Sequence, residues 1–278
     1  MIRITTFTDP MMGLSWEYEP TFRKLETHFQ IEFRYIMSVL VPDVYRLVNP
    51  EDLKIGEEFA LKRYNEHLAK IYESEEAISG MPINMAGFHL FSPEHTSSRP
   101  LNLAYKAAQL TDKSKAALFL YNLRYATVVE CRQTTKRDEI LDVVRKSKID
   151  TEKFLEHYND GSAENALNHD LILTKELGIY TLPAYLVQCD DKNALIRILI
   201  GYEDFVSIIQ EMSNGQILPQ PPKFCAEVFM EFLDKHPLIS LRELQEAFDF
   251  ENVDAVRNFI NTLPKGCCTL KNDFVFQK

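Results

Sequence analysis

Thiol exchange is the first chemistry that the residue types raise. The five cysteines are Cys131, Cys189, Cys225, Cys267 and Cys268. A dithiol catalyst places two cysteines one helical turn apart, and the sequence contains no CxxC. Cys267 and Cys268 are adjacent; a disulfide between neighbours is strained, and the plainer reading is two residues of a strand. Cys189 and Cys131 read as small buried hydrophobes. The seven histidines form no HExxH, HxH or Cys-His set with zinc spacing, so no metal site is expected. His89 and His95 share a loop with Glu94 and read as surface residues. That leaves Thr8 to Pro20, TDPMMGLSWEYEP, a strand-to-helix turn of the kind that carries function in many α/β proteins. It offers no thiol, no histidine and no glycine-rich phosphate loop. Ser15 is its candidate hydroxyl nucleophile, but no histidine lies within reach by sequence to activate it.

The elements that must position this turn follow from periodicity. Ile2 to Phe7 is rich in β-branched residues and reads as a strand. Ser15 reads as an N-cap, with Glu17 and Glu19 in the first turn, where the helix dipole favours carboxylates. Pro20 either marks the first position of the main helix or kinks it. Phe22, Leu25 and Phe29 form the stripe of that helix, and Ile31 to Ile36 alternates as a second strand. Residues 52–160 turn helical, including a largely buried helix over 114–130, and are interrupted by a proline-containing loop from Met81 to Pro100. Ala163, Leu167, Leu171, Thr174 and Leu177 make a further helix, stopped by Gly178. Ala184–Cys189 reads as a buried strand, Asp190–Asn193 as a hairpin turn and Leu195–Ile200 as the returning strand. Phe205, Ile208, Ile209 and Met212 give a last helix.

Residues 214–223 hold three prolines and a glycine and read as a linker. The final 55 residues read as an independent unit of three helices and a hairpin, which is the winged-helix pattern. Ser240 and Glu243 form a capping box at the second helix. A DNA-binding role is not expected. Residues 224–278 carry six Lys/Arg against nine Asp/Glu, and the whole chain has a net charge of −10. No apolar run approaches the roughly 20 residues needed to cross a bilayer. The chain opens directly on strand-like sequence, so no secretory signal is expected. With an odd number of widely spaced cysteines, this suits reduced thiols in a cytoplasm.

The TFTDP, MMGLS and WEYEP segments together resemble the active-site region of DsbA-family thioredoxin-fold proteins, especially the cytoplasmic branch of dithiol-disulfide isomerase type. There an Asp-Pro turn, a CxxC and a Trp-x-x-Glu-Pro tail follow in this order. TLPAYLV is similar to the segment that carries the family's cis-proline, which the resemblance places at Pro183. The C-terminal unit resembles the tail of the DsbA-like adaptors that deliver the Spx regulator to the ClpXP protease. The implied architecture is α/β: a thioredoxin-like domain over 1–51 and 161–213, an inserted helical domain over 52–160, a linker over 214–223 and a winged-helix-like module over 224–278.

The resemblance assigns the family's two cysteines to Met12 and Ser15, bracketing Gly13 and Leu14. Exchange requires a thiolate that attacks a disulfide sulfur, and a thioether has no proton to lose. Ordinary oxidoreductase chemistry is therefore not expected. Three readings follow. In the leading one a peptide or protein partner binds the former active-site groove, lined by Met11, Met12, Leu14, Trp16, Leu182 and Pro183, in the manner of an adaptor and without a cofactor. In the second, Ser15 serves a glutathione- or thiol-dependent isomerase or transferase, as serine does in the kappa glutathione transferases and 2-hydroxychromene-2-carboxylate isomerases. Their serine corresponds to position 12, however, and Ser15 comes one turn late. In the third, Met12 and Ser15 only pack and cap.

Overall fold

The computed structural model describes residues 1–264 and 266–277. Strand β1 (Ile2–Thr8) runs parallel to β2 (Ile31–Met37), with Ile2 opposite Ile31 and Thr8 opposite Met37. The crossover between them holds the short helix α1 (Gly13–Glu17) and α2 (Glu19–His28). The helical insertion follows as α3 (Pro50–Ile55), α4 (Glu57–Glu75), α5 (Arg99–Thr111), α6 (Ala116–Val128), α7 (Arg137–Lys146) and α8 (Thr151–Asn159). Helix α9 (Ser162–Glu176) returns the chain to the sheet, where β3 (Ala184–Cys189) lies antiparallel to β1 and β4 (Lys192–Ile196) antiparallel to β3. The sheet order is β2-β1-β3-β4, and α10 (Tyr202–Met212) covers it beside α2. No helix among the described residues is long and apolar enough to cross a membrane.

The returning strand begins earlier than its apolar run suggests. Cys189 pairs with Lys192, so the hairpin turn is the two residues Asp190 and Asp191. Asp190 has φ 52, a left-handed value that aspartate tolerates and a tight hairpin requires. Pairing therefore starts at Lys192, and Ile198 to Ile200 lie beyond the strand.

The last segment comprises α11 (Ala226–Lys235), β5 (Leu238–Ser240), α12 (Leu241–Ala247), α13 (Val253–Thr262) and a hairpin of β6 (Cys268–Lys271) and β7 (Phe274–Gln277). Strand β5 pairs with β7 and is an element that periodicity did not reveal, because three residues carry no alternation to read. The segment has its own apolar cluster, built around Phe229, Leu233, Leu244, Val256 and Val275. It is nevertheless docked on the rest of the chain: α12 packs along α2, and Phe274 joins the insertion's core.

Candidate functional site

The turn after β1 is stapled by Asp9. Its fully buried carboxylate accepts hydrogen bonds from the Met11 amide (3.0 Å), the Leu40 amide (2.7 Å), Ser98 Oγ (2.7 Å) and Asn102 Nδ2 (2.8 Å). One side chain thus ties β1, the segment after β2 and α5 together. Burial pushes its pKa up against the pull of those four donors. Met12 occupies the N-cap position of α1 and Ser15 lies inside the helix, not at its cap. The expected capping role fails because the helix begins a turn earlier than a serine-initiated one would. Ser15 faces inward instead. It is 1% exposed, and its Oγ shares a 2.7 Å hydrogen bond with Thr8 Oγ1. Tyr18 breaks the helix, and α2 restarts with Pro20 in its first turn.

The predicted groove residues separate into two groups. Met11 (1%), Met12 (4%) and Trp16 (0%) are buried. The insertion covers Met11 and, together with the C-terminal segment, Trp16. Tyr72 donates its hydroxyl hydrogen bond to the Met11 carbonyl. The Trp16 indole N–H donates to the Pro82 carbonyl at 3.2 Å, and its ring lies 5.1 Å from Tyr121 and 6.1 Å from Phe274. Leu14 and Leu182 are half-buried, Tyr180 is 88% exposed, and Pro183 is buried behind a cis peptide bond from Leu182. Phe7 pairs with Ala184, so the β1–α1 turn and the Leu182–Pro183 segment leave the sheet at the same edge.

Gly13 is needed where it stands. A Cβ there would meet Glu75 Oε2 at 2.0 Å and the Tyr72 ring at 2.6 Å. Glu75 is therefore pressed against the start of α1, opposite the almost fully buried Glu17. Glu17 Oε2 accepts from the Ser79 amide and hydroxyl and from the Met81 amide. Glu17 Oε1 and Glu75 Oε2 have no hydrogen-bond partner among the described residues. Burial pushes both carboxyls up to about 7, and for Glu75 the neighbouring Glu17 adds to the shift. Sequence reasoning missed this pair, since the partners are far apart in the chain and both read as solvated helix acids.

A second polar network runs from the turn into the C-terminal segment. Arg124 donates to Thr8 Oγ1 (3.0 Å) and Glu19 Oε1 (2.8 Å), and Glu19 also accepts from Arg23 (2.9 Å). Arg23 reaches Glu243 at 3.1 Å, and Tyr121 donates to the same carboxylate at 2.6 Å. All six side chains are buried. Burial opposes the charge on Arg23, but Glu19, Glu243 and Glu26 hold its guanidinium above the usual range.

The thiols lie away from this site. Cys189 is buried as expected, whereas Cys131 is half-buried and donates to the Asn84 carbonyl at 2.6 Å; Cys225 is exposed ahead of α11. His89 is exposed and His95 half-buried. No group of three metal-ligating side chains occurs among the described residues.

A parallel βαβ unit continued by an antiparallel hairpin, with a helical insertion, defines a class: the chain belongs to the thioredoxin family, whose model matches residues 5–207. Among relatives, the ClpXP adapter protein SpxH of Halalkalibacterium halodurans is 24% identical over 254 residues, spanning 90% of this chain and 79% of that protein. The SpxH of Bacillus subtilis is 24% identical over 257 residues, spanning 89% and 78%. Solved structures share the fold. A candidate protein disulfide isomerase from Nitrosomonas europaea superposes with a TM-score of 0.62 at 12% identity, covering 78% of this chain and 99% of its own. The cytosolic disulfide reductase DsbM of Pseudomonas aeruginosa gives 0.52 at 17% identity, covering 76% and 95%.

Proposed function

We propose that this chain is a redox-inert, DsbA-like adaptor that binds a protein partner and presents it to a ClpXP-type protease. The observation that carries this reading is the state of the two positions where the family's thiols would stand. Met12 is buried with no ionisable group, and the Ser15 hydroxyl is spent on Thr8 inside the core. No thiolate is available at the start of α1, so a mixed disulfide has nothing to form on. The adapter relatives align along nine-tenths of the chain, which supports a binding role for the same frame. A Ser15-based glutathione enzyme is disfavoured, because a nucleophile must reach its substrate and Ser15 is sealed.

In this reading Met11, Met12, Trp16 and Pro183 support the site from below and do not meet the partner. The contact edge is Leu14, Leu182 and the exposed Tyr180, with the backbone ahead of Pro183 free to pair with an extended segment by strand addition. We read residues 1–51 and 161–213 as the thioredoxin-like domain, 52–160 as the insertion, 214–223 as the linker and 224–278 as a winged-helix-like module. The helix–strand–helix–helix–hairpin order and the separate apolar cluster support that module. Its acidic balance favours a protein contact over nucleic acid. A cytoplasmic setting accords with the absence of CxxC and with the adapter relatives.

The test is co-purification from the native host, comparing wild type with Leu14→Arg. A partner set that includes protease subunits or a degraded protein, and that is lost in Leu14→Arg, is expected. An unchanged set would remove Leu14 from the contact edge, and no partner in either sample would sink the adaptor reading. An insulin-reduction assay with dithiothreitol should run at the blank rate, and turnover above it would end the redox-inert claim.

A further inference from the structure

We propose that the seam between α2 and the C-terminal segment is an acid-sensitive latch, closed while His28 and His236 are uncharged and loosened when they take up protons, independent of the adaptor reading. The two rings sit on opposite sides of that seam, and each faces an acid of the other side. His28, in the last turn of α2, is buried and stands 3.4 Å from the Asp249 carboxylate of the C-terminal segment. His236, just after α11, donates from Nε2 to Glu26 of α2 at 2.9 Å. Between them the seam is polar: Arg23 meets Glu243, Lys24 meets Asp249 at 2.6 Å, and Thr27 Oγ1 donates to the Ala247 carbonyl at 2.9 Å. The linker is tied to the same place, where the Gln220 amide donates to the His28 carbonyl at 2.8 Å.

The surroundings of each ring suit its neutral form. His28 Nδ1 shares a 2.7 Å hydrogen bond with the Tyr202 hydroxyl of α10, whereas Nε2 is buried with no hydrogen-bond partner among the described residues. Asp249 is already paired with Lys24, whose ammonium lies 4.9 Å from the centre of the Tyr202 ring. A charged His28 would therefore compete with a lysine for one exposed carboxylate. Burial pushes its imidazole down against the pull of Asp249, with Lys24 adding to the fall and Glu203 of α10 opposing it. His236 lies against the Phe232 ring at 4.6 Å, in a cleft walled by Glu19, Arg23, Glu26, Tyr35, Tyr121 and Lys235. Glu26 is its acceptor, but Arg23 at 3.5 Å and Lys235 at 3.9 Å claim the same carboxylate. Burial pushes His236 down as well, helped by Arg23 and opposed by Glu26 and Glu19. A histidine whose pKa is lowered by docking stabilises the docked state above its free value of about 6.5, and that stabilisation is lost as pH falls. One ring that stays neutral when docked and titrates freely when released weakens docking about tenfold at pH 5.5, and two weaken it about 100-fold. Release bares the aromatic face of α6, where Tyr125 packs on Phe274 with ring centres 4.9 Å apart.

Hydrogen exchange of the full-length protein reads the latch, followed by mass spectrometry at about pH 7.5 and 5.5 and corrected for the intrinsic pH dependence of the amides. Helix α12 has seven residues and is marginal once it loses its partner. Its protection should fall about 100-fold across that step, while that of α5 in the insertion stays level. His28→Gln and His236→Gln each keep a neutral polar group and remove a titrating ring. Each should cut the fall to about tenfold, and the double variant should show none. An equal fall in the double variant, or level or rising protection of α12 in wild type, would overturn the proposal. The ring protons of wild type give a second reading that needs no variant. Two of the seven histidines should titrate below about pH 6.5 by nuclear magnetic resonance, and ordinary titration of all seven would sink the latch as well.

Discussion

Two regions of this molecule bury carboxyl groups, and they surround them with opposite kinds of partner. Where α12 meets α2, Glu19 and Glu243 are set against Arg23 and Arg124, with Tyr121 and the Ser240 amide as further donors. At the start of α1, amide and hydroxyl donors reach Glu17 Oε2, while Glu17 Oε1 and the neighbouring Glu75 Oε2 have no hydrogen-bond partner among the described residues. Burial penalises ionisation in both places. Burial raises the Glu243 carboxyl too, but there Arg23 opposes the shift; in the second region burial pushes Glu17 and Glu75 up to about 7. A buried acid is thus a fastener or a proton store according to its neighbours, and one short crossover contains both kinds.

The contrast is broken most severely by removing a cation from the paired region. Arg23→Met leaves Glu19 and Glu243 short of a partner and should cost about 3–5 kcal/mol. The denaturant midpoint measures it. Adding Glu243→Leu should recover part of the loss, and a cost under about 1 kcal/mol for the single variant would mean the pairing there contributes little. Next comes steric pressure on the unpaired region. Gly13→Ala drives a methyl into Glu75 and the Tyr72 ring, with an expected loss of about 1–3 kcal/mol. Glu75→Ala in the same chain should relieve some of it. No loss from Gly13→Ala would show that the contact yields freely.

The smallest effect sharpens the comparison through pH. Glu17 and Glu75 bind their protons more tightly folded than unfolded. Their stabilisation is therefore complete below about pH 4.5 and lost as pH climbs to about 7. Glu17→Gln mimics the protonated form. It should match wild type near pH 4.5 and exceed it by on the order of 1 kcal/mol above pH 8. Thermal melts across that range decide the matter; a variant weaker than wild type at high pH would mean that Glu17 is ionised and stabilising there.

These two regions also mark what the sequence made legible. The βαβ unit, the helical insertion and the terminal helices announce themselves because their apolar periods are long. The Ser240–Glu243 capping box is readable from Ser-x-x-Glu and forms as read, with both of its hydrogen bonds present. What the motif hides is that the same Glu243 carboxylate also receives Arg23 and Tyr121, contacts more than a hundred residues away in the chain. Ser15 failed as a cap because two acids follow it, which imitates a first helical turn. The real start of α1 is set by Asp9 organising the turn from outside the helix. Met11 and Trp16 were legible as apolar but not as covered, since the elements that cover them come from the insertion and, for Trp16, also from the C-terminal end.

Trp16 is the one tryptophan of the chain, and it touches three parts of the molecule at once: Pro82 of the insertion loop, Tyr121 of α6 and Phe274 of the terminal hairpin. The protein thus carries a built-in optical gauge. Its ultraviolet emission comes from a single indole in a dry aromatic setting, and any event that lifts the terminal hairpin will wet that indole and move the emission to longer wavelength. Seating of the C-terminal segment can be followed in the unlabelled protein, in real time, with one excitation wavelength.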